Sequence, residues 1–453
     1  MCVKRIQKLI ILLFIFLMGY SVTVGSSQSM PNASKIDDTE RKEIVRAACT
    51  LIKEKYLEAE IAEKVETFIG SKFDKGEYNN INNGIQLSRA LTMDFFSISK
   101  DKHLWIRFDP PEAERSRLRS GKNPEDVRKG MELWVEEERY LNYGFEKVER
   151  LRGNIGYLKL RMFFPSEYAG DTAAAAVAFL ANTDAIIIDL RENQGGAPSM
   201  VQFLASYFVE KKPVLLTSTV YPRKNKTHQT WSLPYVPGKR LADKDVYILT
   251  SRHIFSAPEG FAFALKRLKR ATIVGEKTAG GSHLTRMYPI AGKYVLAVPY
   301  GKPLDPETGT GWEGKGIKPD VSVPANIALE KAHLLALEKI ITNKKKPLRI
   351  RMLQWKIDEL KARVNPYQVG ESVLKSYAGS YEGVLVTYER GQLYFKVLRT
   401  GNEYRLFPMS DTLFALEGIE YLRIRFEVES TGRVTRLFRV FDRGGKAPAR
   451  RLD

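Results

Sequence analysis

Between residues 150 and 325, short runs rich in β-branched and aromatic residues alternate with segments of helical periodicity. This alternation limits the possible folds more than any other feature of the chain. The strand-like runs are NIGYLKL, AIIIDL, VYILT, ATIVGE and YVLAVPY, and apolar segments such as 173–180 and 199–209 have helical spacing. Strands and helices in alternation predict an α/β core.

Different patterns flank this core. Residues 40–110 have apolar positions at helical spacing and predict a helical N-terminal domain, followed by a connecting segment at 111–148. The core is expected at 149–345, and a helical linker at 346–372. Residues 373–453 contain only strand-like runs with short glycine-containing turns, which predicts a small β-barrel or β-sandwich.

The first 26 residues are typical of an export signal, with basic residues at the start, a short apolar run and a small-residue cleavage site, and residues 27–39 are expected to form a linker. The protein is therefore predicted to be exported, in the periplasm, at the cell surface or secreted. Cleavage of the signal and its retention as an anchor both remain open. Cleavage would leave Cys49 as the single cysteine, so no disulfide framework is expected.

The chain carries a formal net charge of +19, with basic and acidic residues interspersed in most segments. One dense basic cluster, KKKPLRIR at 344–351, is interpreted as a charged linker, and peripheral contact with an anionic membrane surface is the alternative. No nucleic-acid recognition motif accompanies it, so no nucleic-acid partner is expected. The sequence has no P-loop and no closely spaced metal ligands, so neither a cofactor nor a metal is predicted.

The stretch HIFSAPEGFAFAL at 253–265 places Ser256 between a predicted strand and a predicted helix. Ser256 and Glu259 form an S-x-x-E pattern, which is typical of a capping box at a helix start. The same position also suits a nucleophile, because free N–H groups at a helix N-terminus stabilise a developing oxyanion. The local pattern alone does not separate these two interpretations.

Two further features bear on that choice. The strand-like run ending in DLRENQGG places Arg191, Asn193, Gly195 and Gly196 in a loop that allows close backbone approach to a ligand. Of the five histidines, His333 lies in an apolar-periodic segment at 328–341 that is predicted to be the last helix of the core, and His228 lies in a polar loop. His103, His253 and His283 therefore remain as candidate bases, although His253 and His283 are expected to face solvent.

Taken in order, NIGYLKLRMFF, IIIDLRENQGG, VYILTSRHIFSAPEGFAFAL, ATIVGEKTAGGSH and GWEGKGIKPDVSV resemble the tail-specific protease core of the S41 serine peptidases. A helical unit before the core and the absence of an evident PDZ-like insert resemble the branch related to interphotoreceptor retinoid-binding protein and tricorn. The resemblance implies a crotonase/ClpP-like α/β core, a helical N-terminal unit and a C-terminal all-β accessory domain. It also implies a hydrolase that cleaves polypeptides through an acyl-enzyme.

The resemblance also implies roles for particular residues. Ser256 falls on the nucleophile, and the N–H groups of Ala257 and of Gly195 or Gly196 fall on the oxyanion hole. The lysine of the Ser-Lys branch falls at Gly281, which argues against a Ser-Lys pair here, although Lys277 places an ammonium group in the neighbouring loop. Histidine is therefore the expected base. The DGH-type motif matches Asp101 and His103 in SKDKHLWIRF, with Lys102 in place of glycine. Glu313 matches an acidic position that orients the base or a bridging water.

Two alternatives to a peptidase remain open at this stage. A non-catalytic protein could bind an apolar ligand on the same scaffold, in a closed cavity lined by several aromatic side chains: Phe95, Phe96, Trp105, Phe163 and Phe164. In a surface-binding module, Ser256 would only cap its helix. A peptidase predicts hydrogen-bond reach between Ser256 and His103, and a binding protein predicts the apolar cavity instead.

Overall fold

A computed structural model describes residues 34–121, 123–342 and 346–453. The predicted export signal at 1–26 and most of the predicted linker lie outside these residues. Helix α1 begins at Asp38, where the Asp37 side chain accepts a hydrogen bond from the Glu40 N–H and caps the first turn. Because Ile36 is also buried, the end of the predicted linker 27–39 belongs to the folded unit.

The N-terminal part is helical, as its apolar periodicity predicts. Its elements are α1 (Asp38–Lys55), α2 (Ala59–Asp74), α3 (Gly84–Ser99), β1 (Trp105–Phe108), α4 (Pro110–Ser120) and α5 (Pro124–Tyr140). Helices α1 to α3 bury one apolar face each around a common core. The segment 111–148, predicted only as a connection, contributes most of α4, all of α5 and the start of the next strand.

A six-stranded sheet forms the α/β core. Its strands are β2 (Phe145–Leu151), β3 (Ile155–Leu160), β4 (Ala185–Asp189), β7 (Asp245–Thr250), β8 (Ala271–Gly275) and β11 (Val321–Ser322). The order is β11-β8-β7-β4-β3-β2, and all neighbours are parallel except β2 and β3. Helices cover both faces: α6 (Ser166–Leu180), α7 (Pro198–Tyr207) and α8 (Ala257–Arg267) cover one, and α9 (Ala328–Ile341) and α10 (Pro347–Val364) the other.

Strand β4 shows why this sheet needs two helical layers. All five of its residues are buried, with Ile186 and Ile188 in the cluster on one face and Ala185 and Ile187 in the cluster on the other. A continuous apolar strand is typical of a parallel sheet covered on both sides. The α/β prediction for this core is confirmed.

A second, antiparallel sheet joins the N-terminal helices to the core. It consists of β1, β5 (Leu215–Tyr221), β6 (Lys226–Trp231), β9 (Leu284–Ile290) and β10 (Tyr294–Leu304), and β10 pairs with β1, β5 and β9. Side chains of β10, among them Tyr294, Leu296 and Val298, are buried in the same cluster as helices α1 to α3. The helical unit therefore completes its core with a strand from the predicted peptidase segment.

The C-terminal residues form an all-β unit, as predicted. After α11 (Glu371–Tyr377), eight antiparallel strands follow one another in the sheet: β12 (Gly379–Tyr381), β13 (Val384–Glu389), β14 (Gln392–Val397), β15 (Glu403–Pro408), β16 (Leu413–Leu416), β17 (Ile419–Val428), β18 (Val434–Phe441) and β19 (Lys446–Arg450). A bridge between Tyr381 and Arg451 brings the two edges together, so the sheet is nearly closed.

Helix α10 connects the core to this β unit and differs from the predicted charged linker. It begins at Pro347, within the basic cluster 344–351, of which residues 346–351 are described. The Arg423 guanidinium of β17 lies 3.7 Å from the ring centroid of Trp355, and Lys356 forms an ion pair with Glu420 at 2.7 Å. Among the described residues, none of the helices has the length and apolarity needed to cross a bilayer.

Candidate active site

The parallel sheet places three loops at one edge. The loops that follow β4, β7 and β8 all leave the carboxyl ends of parallel strands, where ligands bind in open α/β sheets. The β4 loop contains Gly195 and Gly196, the β7 loop ends at Ser256, and the β8 loop contains the TAGGSH sequence. Sequence elements that are between about 20 and 90 residues apart therefore meet at one place.

Ser256 precedes the first residue of α8 and has an unusual backbone conformation. Its φ and ψ are +73° and −120°, outside the regions that a side chain with a Cβ ordinarily occupies. An ordinary N-cap residue has extended backbone with negative φ. Such a conformation persists only where the surrounding structure imposes it, and it is concentrated at functional sites.

Glu259 imposes this conformation. Its fully buried carboxylate accepts hydrogen bonds from the Ser256 N–H at 3.0 Å, the Gly280 and Gly281 N–H groups at 2.8 Å each, and the Thr278 hydroxyl at 2.5 Å. Burial raises the pKa of Glu259, although these four donors act to lower it. The acidic half of the predicted capping box thus forms, and it also ties the helix start to the β8 loop.

The β4 loop packs directly against Ser256. A Cβ built on Gly195 would lie 3.8 Å from the Ser256 Cβ, so the backbone of this loop borders the serine. The Gly195 N–H donates to the Asn193 side chain at 2.9 Å, whereas the Gly196 N–H has no acceptor among the described residues. The Ala257 N–H, at the first helical position, also lacks an intrahelical acceptor. Two N–H groups are therefore available near Ser256.

His103 packs against the residue before Ser256 but makes no hydrogen bond to the serine. Its ring packs on Phe255, with centroids 4.2 Å apart, and neither buried ring nitrogen has a hydrogen-bond partner among the described residues. Burial lowers the pKa of His103 to about 4, although the Asp101 charge acts to raise it. The imidazole is therefore neutral near pH 7, and the hydrogen bond between Ser256 and His103 expected of a peptidase is not formed in this structure.

His283 is buried, so its prediction as a solvent-facing residue is wrong. Its Nδ1 lies 2.7 Å from the Asp101 Oδ2, and Tyr56 donates its hydroxyl hydrogen to the same oxygen at 3.1 Å. Burial acts to lower the pKa of His283, but the hydrogen bond and charge of Asp101 raise it above its usual range. Sequence reasoning missed both this pair and Tyr56, because partners this distant in the chain leave no local pattern.

Glu313 reaches the same cluster from the turn after β10. Its Oε2 accepts a hydrogen bond from the Ser282 N–H at 2.5 Å and lies 3.9 Å from the His283 Nδ1. Asp101, His103 and Glu313 each have one side-chain atom that could bind a metal ion, and these three atoms lie within 4.8 Å of one another. The predicted acidic residue therefore lies beside the predicted base.

Other candidates named from the sequence lie elsewhere or serve another role. His253 and Lys277 are exposed, and His333 is buried in α9, where its Nε2 lies 2.7 Å from the Arg152 carbonyl oxygen. The guanidinium of Arg191 pairs with the buried Asp189 at 2.6 Å and so anchors the β4 loop. A Cβ on Gly281 would lie 1.9 Å from the Phe255 ring, so a lysine at that position does not fit.

The aromatic residues predicted to line an apolar cavity do not lie together. Phe163 and Phe164 are fully buried in the core beneath α6 to α8, whereas Phe95 is fully buried in the core of α1 to α3. Phe96 is exposed on α3. These side chains belong to separate cores and a surface, so they give no support to the apolar-ligand alternative.

Comparison with known proteins identifies two regions of the chain. Residues 154–323 match the family model described as peptidase family S41. Residues 27–141 match the model of the N-terminal domain of peptidase S41 in eukaryotic IRBP. Both segments coincide with the parts of the chain that form the site, since Asp101 and His103 lie in one and Ser256, His283 and Glu313 in the other.

Two curated relatives match part of the chain. A probable CtpA-like serine protease of Staphylococcus epidermidis is 30% identical over 173 residues, which is 38% of this chain and 34% of the relative. A carboxy-terminal-processing protease of Bartonella bacilliformis is 28% identical over 178 residues, which is 38% of this chain and 40% of the relative. The chain thus spans well under half the length of either protein.

Solved structures give a weaker similarity. The photosystem II D1 C-terminal processing protease has a TM-score of 0.40 and 14% identity, and the match covers 64% of this chain and 95% of that one. The tricorn protease has a TM-score of 0.41 and 15% identity, and the match covers 71% of this chain and 37% of that one. These values are too low to support a functional inference.

Proposed function

Because the chain belongs to peptidase family S41, we propose that it is an exported serine peptidase that hydrolyses polypeptides through an acyl-enzyme at Ser256. The observation that carries this proposal is the backbone of Ser256, held at φ +73° by Glu259 at the start of α8. A residue that only caps a helix does not need this conformation. A strained turn between a strand and a helix, in contrast, exposes a nucleophilic side chain to a substrate.

The geometry supports a sequence of bond changes. The Ser256 Oγ attacks the scissile carbonyl carbon and gives its proton to a neutral histidine, and the carbonyl oxygen becomes an oxyanion. The Ala257 and Gly196 N–H groups, with the positive end of α8, would stabilise that charge. The imidazolium then protonates the leaving amine, and the C–N bond breaks. Water, deprotonated by the same histidine, hydrolyses the serine ester.

His103 is the better candidate for the base. Burial keeps it neutral near pH 7, its ring nitrogens have no hydrogen-bond partner in the described ranges, and it packs on the residue next to Ser256. His283 instead pairs with Asp101, and its pKa is raised. The catalytic contact would form when substrate binds, since such hydrogen bonds are often long before a substrate is present. Glu313 would orient His103 or a bridging water.

Fluorophosphonate labelling of the full chain tests this assignment. We expect labelling of the wild type, with loss of at least about 10³-fold in Ser256→Ala and in His103→Ala. His253→Ala, which removes an exposed histidine of the β7 loop, is the matched control and should label normally. Loss in His283→Ala with normal labelling of His103→Ala would transfer the base role to His283. Absence of labelling in a folded, chelator-treated wild-type protein would contradict a Ser256 nucleophile.

The proposed substrates are extended polypeptides, as the family implies. Release of new N-termini from an unfolded protein such as reduced casein, in wild type but not in Ser256→Ala, is the matching activity assay. Export rests on the N-terminal sequence pattern and is tested by fractionation of cells that express the full chain. The basic cluster 344–351 would give peripheral attraction to anionic vesicles, which flotation measures.

A further inference from the structure

We infer that Asp101, His103 and Glu313 form a binding site for a divalent transition-metal cation of the Zn²⁺ class, whose occupancy blocks the proposed base. The inference deepens the proposed function, since it concerns regulation of the same site. It differs from the sequence prediction of no metal, which rested on the absence of closely spaced ligands along the chain.

The first support is the donor set. One imidazole and two carboxylates suit a borderline divalent cation such as Zn²⁺, which takes three protein ligands and a fourth exchangeable position. An oxygen-seeking cation such as Ca²⁺ would require six or more oxygen ligands, which this cluster does not offer. The three possible ligand atoms lie within 4.8 Å of one another. Tetrahedral Zn²⁺ separates its ligand atoms by about 3.4 Å, so a modest side-chain adjustment completes the site.

The second, independent support is the state of the histidines. The His103 side chain is only 7% exposed, and neither of its ring nitrogens has a hydrogen-bond partner within the part of the chain that the structure describes. The buried His283 Nε2 and Ser282 Oγ are unpartnered as well. Buried polar atoms in folded proteins nearly always have a hydrogen-bond partner, so such a concentration of unpartnered atoms is unusual in a folded core. A cation coordinated by His103 accounts for its unused lone pair.

The surrounding contacts hold the ligands in place. Asp101 receives hydrogen bonds from the His103 N–H at 2.8 Å and from the Tyr56 hydroxyl. Glu313 is fixed by the Ser282 N–H, and the His103 ring is fixed by Phe255. Carboxylates and imidazoles that are already oriented lose little freedom on binding a metal. The two carboxylates of the cluster supply the negative charge that favours a dication.

Occupancy has a direct chemical consequence. The cation would use the lone pair with which His103 is proposed to accept the Ser256 proton. No covalent change is involved, so removal of the cation restores the base. The site would therefore act as a reversible block that depends on free Zn²⁺ concentration.

Metal binding is measured on full-length Ser256→Ala, where catalysis cannot contribute. We expect one Zn²⁺ per chain by calorimetry, and a visible spectrum typical of tetrahedral Co²⁺ when cobalt replaces zinc. Glu313→Gln, which keeps the shape of a partly exposed side chain, and His103→Ala should each weaken binding by at least about 10-fold. His253→Ala should bind as the parent does. Absence of saturable binding, or an affinity in Glu313→Gln and His103→Ala equal to that of the Ser256→Ala parent, would overturn the site.

A second arm uses the wild type. Labelling of metal-free protein should fall as one equivalent of Zn²⁺ is added and return with a chelator. Unchanged labelling of a Zn²⁺-loaded protein would overturn the regulatory role. Metal binding in Ser256→Ala with no labelling of metal-free wild type would instead leave the site standing and refute the proposed function.

Discussion

Replacement of Glu259 by glutamine is the most informative single perturbation of the site. The wild-type carboxylate accepts four hydrogen bonds from the helix start and the β8 loop, two at each oxygen. Glutamine supplies one oxygen and a donor NH₂ group. In the least costly orientation the amide nitrogen faces Thr278, whose hydroxyl can turn to accept, and the Gly280 N–H is left without an acceptor.

The magnitude follows from counting the groups left unpaired. One backbone N–H and one amide hydrogen remain buried without partners, at about 1–3 kcal/mol each, which gives a loss of about 2–6 kcal/mol. The expected result is a lower thermal midpoint and faster hydrogen exchange in peptides covering 251–283. Labelling of Ser256 should also fall, because the bond that fixes its backbone conformation is gone.

Glu307→Gln is the matched control. The Glu307 side chain is 76% exposed and pairs with Arg267, so its loss should change stability by no more than about 1 kcal/mol. If Glu259→Gln behaves like Glu307→Gln, the four hydrogen bonds do not hold the loop. That result would indicate that the Glu259 carboxyl is protonated in the wild type, because a protonated carboxyl has one acceptor oxygen and one donor group, as the glutamine amide does.

Three further predictions concern pH and backbone space. A general base works only when it is deprotonated, and the pKa of His103 is about 4, so the labelling rate should stay constant as pH falls to 5 and decrease only near pH 4. A labelling rate that already decreases above pH 6.5 would identify His283 as the base, because its pKa is raised. Burial lowers the pKa of His333 to about 4, so the unfolded chain takes up a proton at this histidine before the folded protein does, and folding loses stability as pH falls from 6.5 towards 4. The thermal midpoint of His333→Gln should therefore decrease less between pH 7 and 5 than that of the wild type. Gly196→Ala should prevent folding of the β4 loop, because its Cβ would lie 2.2 Å from the Phe163 carbonyl oxygen. Gly195→Ala has space for its Cβ out to 3.5 Å but a φ of +115° that strains a residue with a side chain, so it should fold with a distorted loop beside Ser256 and lose labelling; limited proteolysis and labelling measure the two outcomes.

Each of these predictions has a clear contrary outcome. A wild-type and a His333→Gln protein with the same pH slope would show that His333 does not contribute to acid sensitivity. A Gly196→Ala protein that folds and labels normally would contradict the close packing of the β4 loop on Phe163. Normal labelling of Gly195→Ala would show that this backbone does not border the reacting atoms.

The sequence predicted those features of the site that depend on local order. Ser256 lies at the predicted junction of strand and helix, and Gly196 lies in the predicted close loop, because strand ends and helix starts are encoded by neighbouring residues. The pairing of His283 with Asp101, 182 residues apart, could not be predicted in this way. It depends on where β9 and β10 place the β8 loop, and a histidine in a Gly-rich loop is locally indistinguishable from one facing water.

The sharing of β10 between two cores sets the order in which the site can form. Ile106 of β1 pairs with Leu296 of β10, about 190 residues later in the chain. Contacts this distant form late, because the loop that closes them costs entropy before any packing compensates for it. During synthesis the N-terminal segment that contains His103 leaves the ribosome well before its partner strand β10 exists. A partly made or partly folded chain therefore contains both Ser256 and His103 without the arrangement that joins them, and a peptidase assembled in this way would stay inert until its own folding is complete.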